Sequence, residues 1–84
     1  MAAEAEATPV IKSLDPLDIQ ILKVMVEKGE PMRPKEIAEA LGEDGRRISA
    51  KMRKLLRLGL VEKVGERTYR ATEAAKKAVE AASS

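Results

Sequence analysis

The stretch from Asp44 to Leu58 limits most strongly what this chain can fold into. On a helical wheel, Ile48, Met52, Leu55 and Leu56 fall within an arc about 100° wide. Arg46, Arg47, Lys51, Arg53, Lys54 and Arg57 all lie outside that arc. A helix with so narrow an apolar stripe belongs on the surface of a domain, with one side against a core and the rest facing outward. The stretch carries six cations against one acid, Asp44, while the whole chain carries only +2, so the remainder is net acidic. Charge concentrated on one element suits a localised anionic partner, whereas a surface charged only for solubility scatters it.

Further details separate this helix from an ordinary solvated face. Arg46 and Arg47 fall in its first turn, where the positive end of the helix dipole disfavours cations by roughly 0.3 to 1 kcal/mol each. With Asp44 as the only acid of the stretch, the i to i+4 ion pairs of a solvent-facing helix are expected to be missing. Ala50 lies near the middle of the charged arc, where a small side chain permits close approach to a groove floor.

The flanking segments read as a short series of elements. Asp15 as N-cap, Pro16 at the first helical position and Asp18 in the first turn predict a helix running to about Lys28, where Gly29 and Pro31 end it. Leu14 and Ile19 can close a hydrophobic staple at its start. Leu17, Ile21, Val24 and Met25 form one apolar stripe, and Ile19, Leu22 and Val26 form a second on another side. A second helix is predicted from Pro34 to Leu41, with Ile37, Ala38 and Leu41 buried and Gly42 as its stop. Asp44 caps the basic helix and Gly59 closes it. Leu60 to Ala71 reads as two short strands around a turn at Gly65-Glu66-Arg67. Thr72 then caps a last helix through Ala82, striped with Ala75, Ala78, Val79 and Ala82. The expected class is mainly α with a small β-hairpin, formally α+β, over residues 13–82, with tails at 1–12 and 83–84.

Composition narrows the function. The 84 residues include no His and no Cys, which removes the commonest general base, imidazole and thiolate metal ligands, and disulfides. We therefore expect no enzyme, no metal, no cofactor and no small-molecule effector, in a single cytoplasmic domain without a membrane segment. Asn is absent and Gln20 is the only Gln, beside abundant Glu, Lys and Arg, a balance like that of proteins from hot environments. Tyr69, the only aromatic residue, reads as a packing residue. Single-strand binding, which relies on several aromatic platforms, is correspondingly disfavoured. Met25 and Met52 read as core, and Glu36, Glu39 and Glu43 as a solvated face.

The order helix, helix, turn, basic helix, hairpin, helix resembles the winged helix-turn-helix superfamily. The run Lys35-Glu36-Ile37-Ala38-Glu39-Ala40-Leu41-Gly42, then Ile48-Ser49, Leu55 through Val61, and Tyr69-Arg70-Ala71-Thr72-Glu73 resemble small MarR-like and ArsR-like transcriptional regulators. The resemblance implies a double-stranded DNA-binding regulator with helix 44–58 in the major groove. It implies base-edge contacts from Arg46, Arg47, Ser49, Ala50 and Arg53, and phosphate contacts from Lys51, Lys54 and Arg57. Arg33 and Lys35, at the start of the second helix, join the phosphate set, and Lys63, Arg67 and Arg70 form the basic wing. Flanking Lys and Arg contacting phosphates, with the first half of the helix at base edges, agrees with the general geometry of such complexes. Two departures stand out. Arg33 occupies the position where a Ser or Thr cap is common, and the absence of Cys and His leaves ArsR-type metal sensing unsupported.

The second stripe of the first helix needs a cover. Either Val10 and Ile11 fold back over it, or two chains pair through Ile19, Leu22, Val26 and Val79 as a homodimer reading half-sites about 34 to 36 Å apart. Other readings of the whole chain are a protein-interaction module within a larger assembly and a binder of structured RNA.

Overall fold

The computed structural model describes residues 14–83. Its elements are α1 (Pro16–Lys28), α2 (Pro34–Leu41), α3 (Gly45–Arg57), β1 (Val61–Gly65), β2 (Thr68–Ala71) and α4 (Glu73–Ser83). Val10 and Ile11 lie outside the described residues.

Capping chemistry sets where α1 begins. Asp15 Oδ1 accepts the Asp18 backbone N–H at 2.9 Å and Asp18 Oδ2 accepts the Asp15 N–H at 3.1 Å. Two of the backbone donors left free by any helix start are thus satisfied reciprocally. At the second helix the corresponding arrangement is half complete. Glu36 Oε1 accepts the Arg33 N–H at 2.8 Å, but an arginine side chain has no acceptor to return the bond. Gly42 ends α2 with φ 67°, a left-handed conformation that glycine adopts without a Cβ clash. That turn sends the chain directly into α3, which Asp44 caps by accepting the Arg46 N–H at 2.8 Å.

The core gathers around α1. Ile21, Leu22 and Met25 are buried together with Ile37 from α2, Ile48, Met52 and Leu55 from α3, Leu60, Val61 from β1, and Ala75 and Ala78 from α4. Each fully buried large aliphatic side chain contributes about 1.5 to 3 kcal/mol. Helix α4 packs against α1, with the small side chains of Ala75 and Ala78 buried. Leu22 is fully buried in this chain's own core, so it is not the surface dimer contact expected of it. Ile19, Val26 and Val79 remain half-buried. Leu56, expected in the core, is 39% exposed. It stands about 80° from Ile48 on the wheel, and the core closes only over the Ile48, Met52 and Leu55 side.

Strands β1 and β2 pair antiparallel, with Val61 opposite Ala71, Glu62 opposite Arg70 and Lys63 opposite Tyr69. The register shifts between Lys63 and Gly65, and the extra residue, Val64, is exposed. Met32 adds a bridge to this hairpin, donating to the Tyr69 carbonyl at 2.8 Å and accepting from the Tyr69 N–H at 2.9 Å. Thr72 stands at the start of α4 as expected, its carbonyl accepting from Ala75 and Lys76. Its hydroxyl, however, donates to the Gly59 carbonyl at 2.8 Å, tying the end of the hairpin to the end of α3.

Candidate nucleic-acid interface

The cations of α3 divide into two groups. Arg46, Arg47, Arg53 and Arg57 are exposed, with Ala50 exposed among them and Ser49 half-buried. Ser49 and Arg53 face a cleft of about 600 Å³, lined also by Arg33, Pro34, Lys35, Glu66, Arg67 and Tyr69. Three separate parts of the chain meet there: the start of α2, the middle of α3 and the tip of the hairpin. The lining brings together four cations, Arg33, Lys35, Arg53 and Arg67, with one acid, Glu66. Of the expected site residues, this cleft assembles Arg33, Lys35, Ser49, Arg53 and Arg67 in one place.

The hairpin tip is held in an uncommon backbone state. Arg67 has φ 56°, the only non-glycine at positive φ among the described residues, a conformation disfavoured by about 1 to 2 kcal/mol for a residue with a Cβ. Thr68 Oγ1 donates to the Glu66 carbonyl at 3.0 Å and braces the turn. Lys63 is exposed on β1. Arg70 is paired across the hairpin with Glu62, so part of its charge is already answered within the sheet.

The second group of α3 cations corrects the expectation that all six avoid the interior. Lys54 Nζ lies 2.7 Å from Asp18 Oδ2, a carboxylate with 0% side-chain exposure. Lys51 pairs with Asp15 and stands 3.9 Å from Asp18 Oδ1. The two lysines are turned toward the start of α1 and ion-paired there, rather than standing free along the helix like the four arginines. Lys51 is the main cause of a lowered Asp15 carboxyl, assisted by the Asp18 backbone N–H, which together bring it from 3.8 to about 2. The expected lack of i to i+4 pairing also needs amendment. Glu43, just ahead of the cap, lies 3.8 Å from Arg47, though an exposed pair of this kind contributes only about 0.3 to 0.5 kcal/mol.

Sequence similarity agrees with this geometry. The family model described as "Sugar-specific transcriptional regulator TrmB" matches residues 13–79. The chain belongs to the TrmB family. No curated protein matches it, but several solved structures do. A MarR family transcriptional regulator from Streptomyces coelicolor, Sco5413, superposes with a TM-score of 0.80 at 24% identity over 94% of this chain. MepR of S. aureus, solved as a MepR-DNA complex, gives 0.72 at 21% over 94%. The ST1889 protein of the archaeon Sulfolobus tokodaii gives 0.70 at 16% over 98%. This TrmB-family chain spans 60% of the Sco5413 chain, 61% of the MepR chain and 93% of the ST1889 chain. At such identities the likeness is one of fold, and it establishes the winged helix-turn-helix architecture.

Several residues that shape the site escaped the sequence reading of this TrmB-family chain. Met32 holds the hairpin against the entry to α2 through its two backbone bonds to Tyr69; the proline pattern favours extended backbone at Arg33, the residue before Pro34, and does not mark Met32 itself. Asp15 and Asp18 were legible as caps but not as partners of α3. Glu66 had no signal beyond its place in the turn. Among the described residues, no group of His, Cys, Asp and Glu is placed to hold a metal, and no helix is long and apolar enough to cross a membrane.

Proposed function

We propose that this chain binds double-stranded DNA as a cytoplasmic transcription regulator, with α3 in the major groove and the Glu66-Arg67 tip over the adjacent backbone or minor groove. The observation that carries the reading is the cleft between α3 and the hairpin. Its four cations and single acid suit a phosphate strand passing between helix and wing.

Arg46, Arg47, Ser49, Ala50 and Arg53 are the residues assigned to base edges. Arg pairing with guanine is the commonest specific contact of this kind. Arg33, Lys35 and Arg57 are assigned to phosphates, and Lys63 and Arg67 to the wing contact. The half-buried apolar set Ile19, Val26 and Val79 supports pairing of two chains, which would bring two copies of α3 to successive half-sites. Sedimentation of the wild-type chain beside Val26→Glu tests the pairing: a wild type already monomeric at micromolar concentration contradicts it.

A charge reversal in the cleft tests the function. Arg53→Glu with Arg67→Glu should abolish duplex binding while leaving the thermal midpoint within a few degrees, both side chains being exposed. Unchanged binding by that variant contradicts the reading, and retention of structured RNA binding with loss of duplex binding would redirect it.

A further inference from the structure

The ion pairs between α1 and α3 have a consequence for specificity, resting on the DNA-binding reading above. Each carboxylate at the start of α1 serves two masters. Asp15 Oδ1 caps the Asp18 N–H while its Oδ2 takes Lys51. Asp18 Oδ2 accepts both the Asp15 N–H and Lys54 Nζ. Because the helix start itself fixes these oxygens, the lysines meet rigid, preformed partners. Side-chain exposure falls to 21% at Lys51 and 30% at Lys54, against 62% at Arg47 on the same helix.

We propose that Asp15 and Asp18 are specificity-determining residues, withholding Lys51 and Lys54 from DNA phosphates so that the exposed arginines of α3 dominate binding. Phosphate contacts add affinity for every sequence alike, whereas base-edge contacts discriminate. Two lysines released on the flank of a recognition helix would raise binding to all duplexes and dilute that discrimination. Holding them on carboxylates keeps the α3 flank nearly neutral while the cleft side stays basic. The arrangement favours the correct site by limiting attraction to incorrect ones.

Salt-dependent titration of duplex DNA distinguishes a withheld lysine from an engaged one, because each phosphate contact adds about 0.9 to the slope of log K against log salt. Four proteins are compared on one preferred and one scrambled duplex: wild type, Asp18→Asn, Lys54→Gln and the double variant. Asparagine keeps an acceptor for the Asp15 N–H, and glutamine keeps a donor toward Asp18. The Lys54→Gln line should be parallel to wild type. Asp18→Asn should be steeper by about 0.9, losing about 3.5-fold more affinity between 50 and 200 mM salt, with a smaller ratio between preferred and scrambled duplex. The double variant should return to the wild-type slope. A Lys54→Gln line shallower by about 0.9, or an Asp18→Asn line parallel to wild type, overturns the proposal while leaving DNA binding intact. If circular dichroism shows Asp18→Asn unfolded, the same comparison is made with Asp15→Asn and Lys51→Gln, where asparagine caps a helix as well as aspartate does. A flat wild-type line overturns the DNA-binding reading, and the proposal with it.

Discussion

Lys54 on α3 and Asp18 on α1 are joined at 2.7 Å across 36 positions of sequence. Asp18 is fully buried, so its charge has little access to water and depends on this partner. Removing one member of a buried pair leaves the other uncompensated, which is far more costly than losing a surface bridge. Lys54→Met should therefore destabilise the fold by about 2 to 4 kcal/mol, softened by Lys51 standing nearby. Arg57→Met on the exposed side of the same helix should stay within about 0.5 kcal/mol. Urea unfolding of both variants checks the contrast, and equal effects would mean that the pair contributes nothing special.

The same cluster gives the fold an acid limit. The Lys51 hydrogen bond and the Asp18 N–H hold the Asp15 carboxyl at about 2 in the folded chain, against 3.8 as its ordinary value. A carboxylate whose folded value is depressed stabilises the fold wherever it is ionised. Its contribution is complete above about pH 4 and is lost as the pH falls toward 2. Asp15→Asn should lose this part of the pH dependence and keep its capping bond. Urea midpoints between pH 5 and pH 2 should fall less steeply for the variant; parallel curves would show that Asp15 is not the titrating group.

At the hairpin tip, stability and binding should separate. Arg67 holds φ 56°, a conformation that glycine adopts freely. Arg67→Gly should raise stability by about 0.5 to 1 kcal/mol, strain relief being offset in part by the greater flexibility of the unfolded chain. It should also weaken duplex binding and reduce the salt slope by about 0.9. Lower stability in the variant would show that the turn is not strained at this residue.

Much of the architecture was legible because its signals are local. Pro16, Pro34 and the caps Asp15 and Asp44 mark helix starts through bonds closed within three residues, and Gly42 marks a stop by its own backbone angle. The alternation of Leu60 to Ala71 and the apolar stripe of α3 likewise need only neighbours in sequence. What remained hidden depends on distant pairing. Leu22 is buried in the chain's own core, whereas its sequence stripe left the cover open between Val10 with Ile11 and a second chain, because an internally covered surface and a partner surface have the same periodicity. Leu56 fits the stripe of Ile48 and Leu55, and only the packed core shows that it falls outside. Lys51 and Lys54 looked like the other cations of α3 because nothing within their own helix records that Asp15 and Asp18 stand opposite.

The exposed cations of α3 should divide by role. Arg53 faces the cleft beside Ser49, where an arginine can pair with a base edge. Arg53→Ala should reduce discrimination between a preferred and a scrambled duplex by about 1 to 3 kcal/mol. Arg57, in the last turn, should act on the backbone, so Arg57→Ala should weaken all duplexes alike and lower the salt slope by about 0.9. Competition anisotropy with the two duplexes separates these outcomes, and identical behaviour would contradict the division of labour.

Titration of the wild-type chain against duplex DNA from 50 to 300 mM salt tests whether the basic side of α3 and the cleft beside the wing form a DNA-binding surface. Arg33, Lys35, Arg57 and Arg67 as phosphate contacts predict a linear fall of log K with log salt and a slope of about −3 to −4 per chain. A flat dependence, or no binding at the lowest salt, would contradict it.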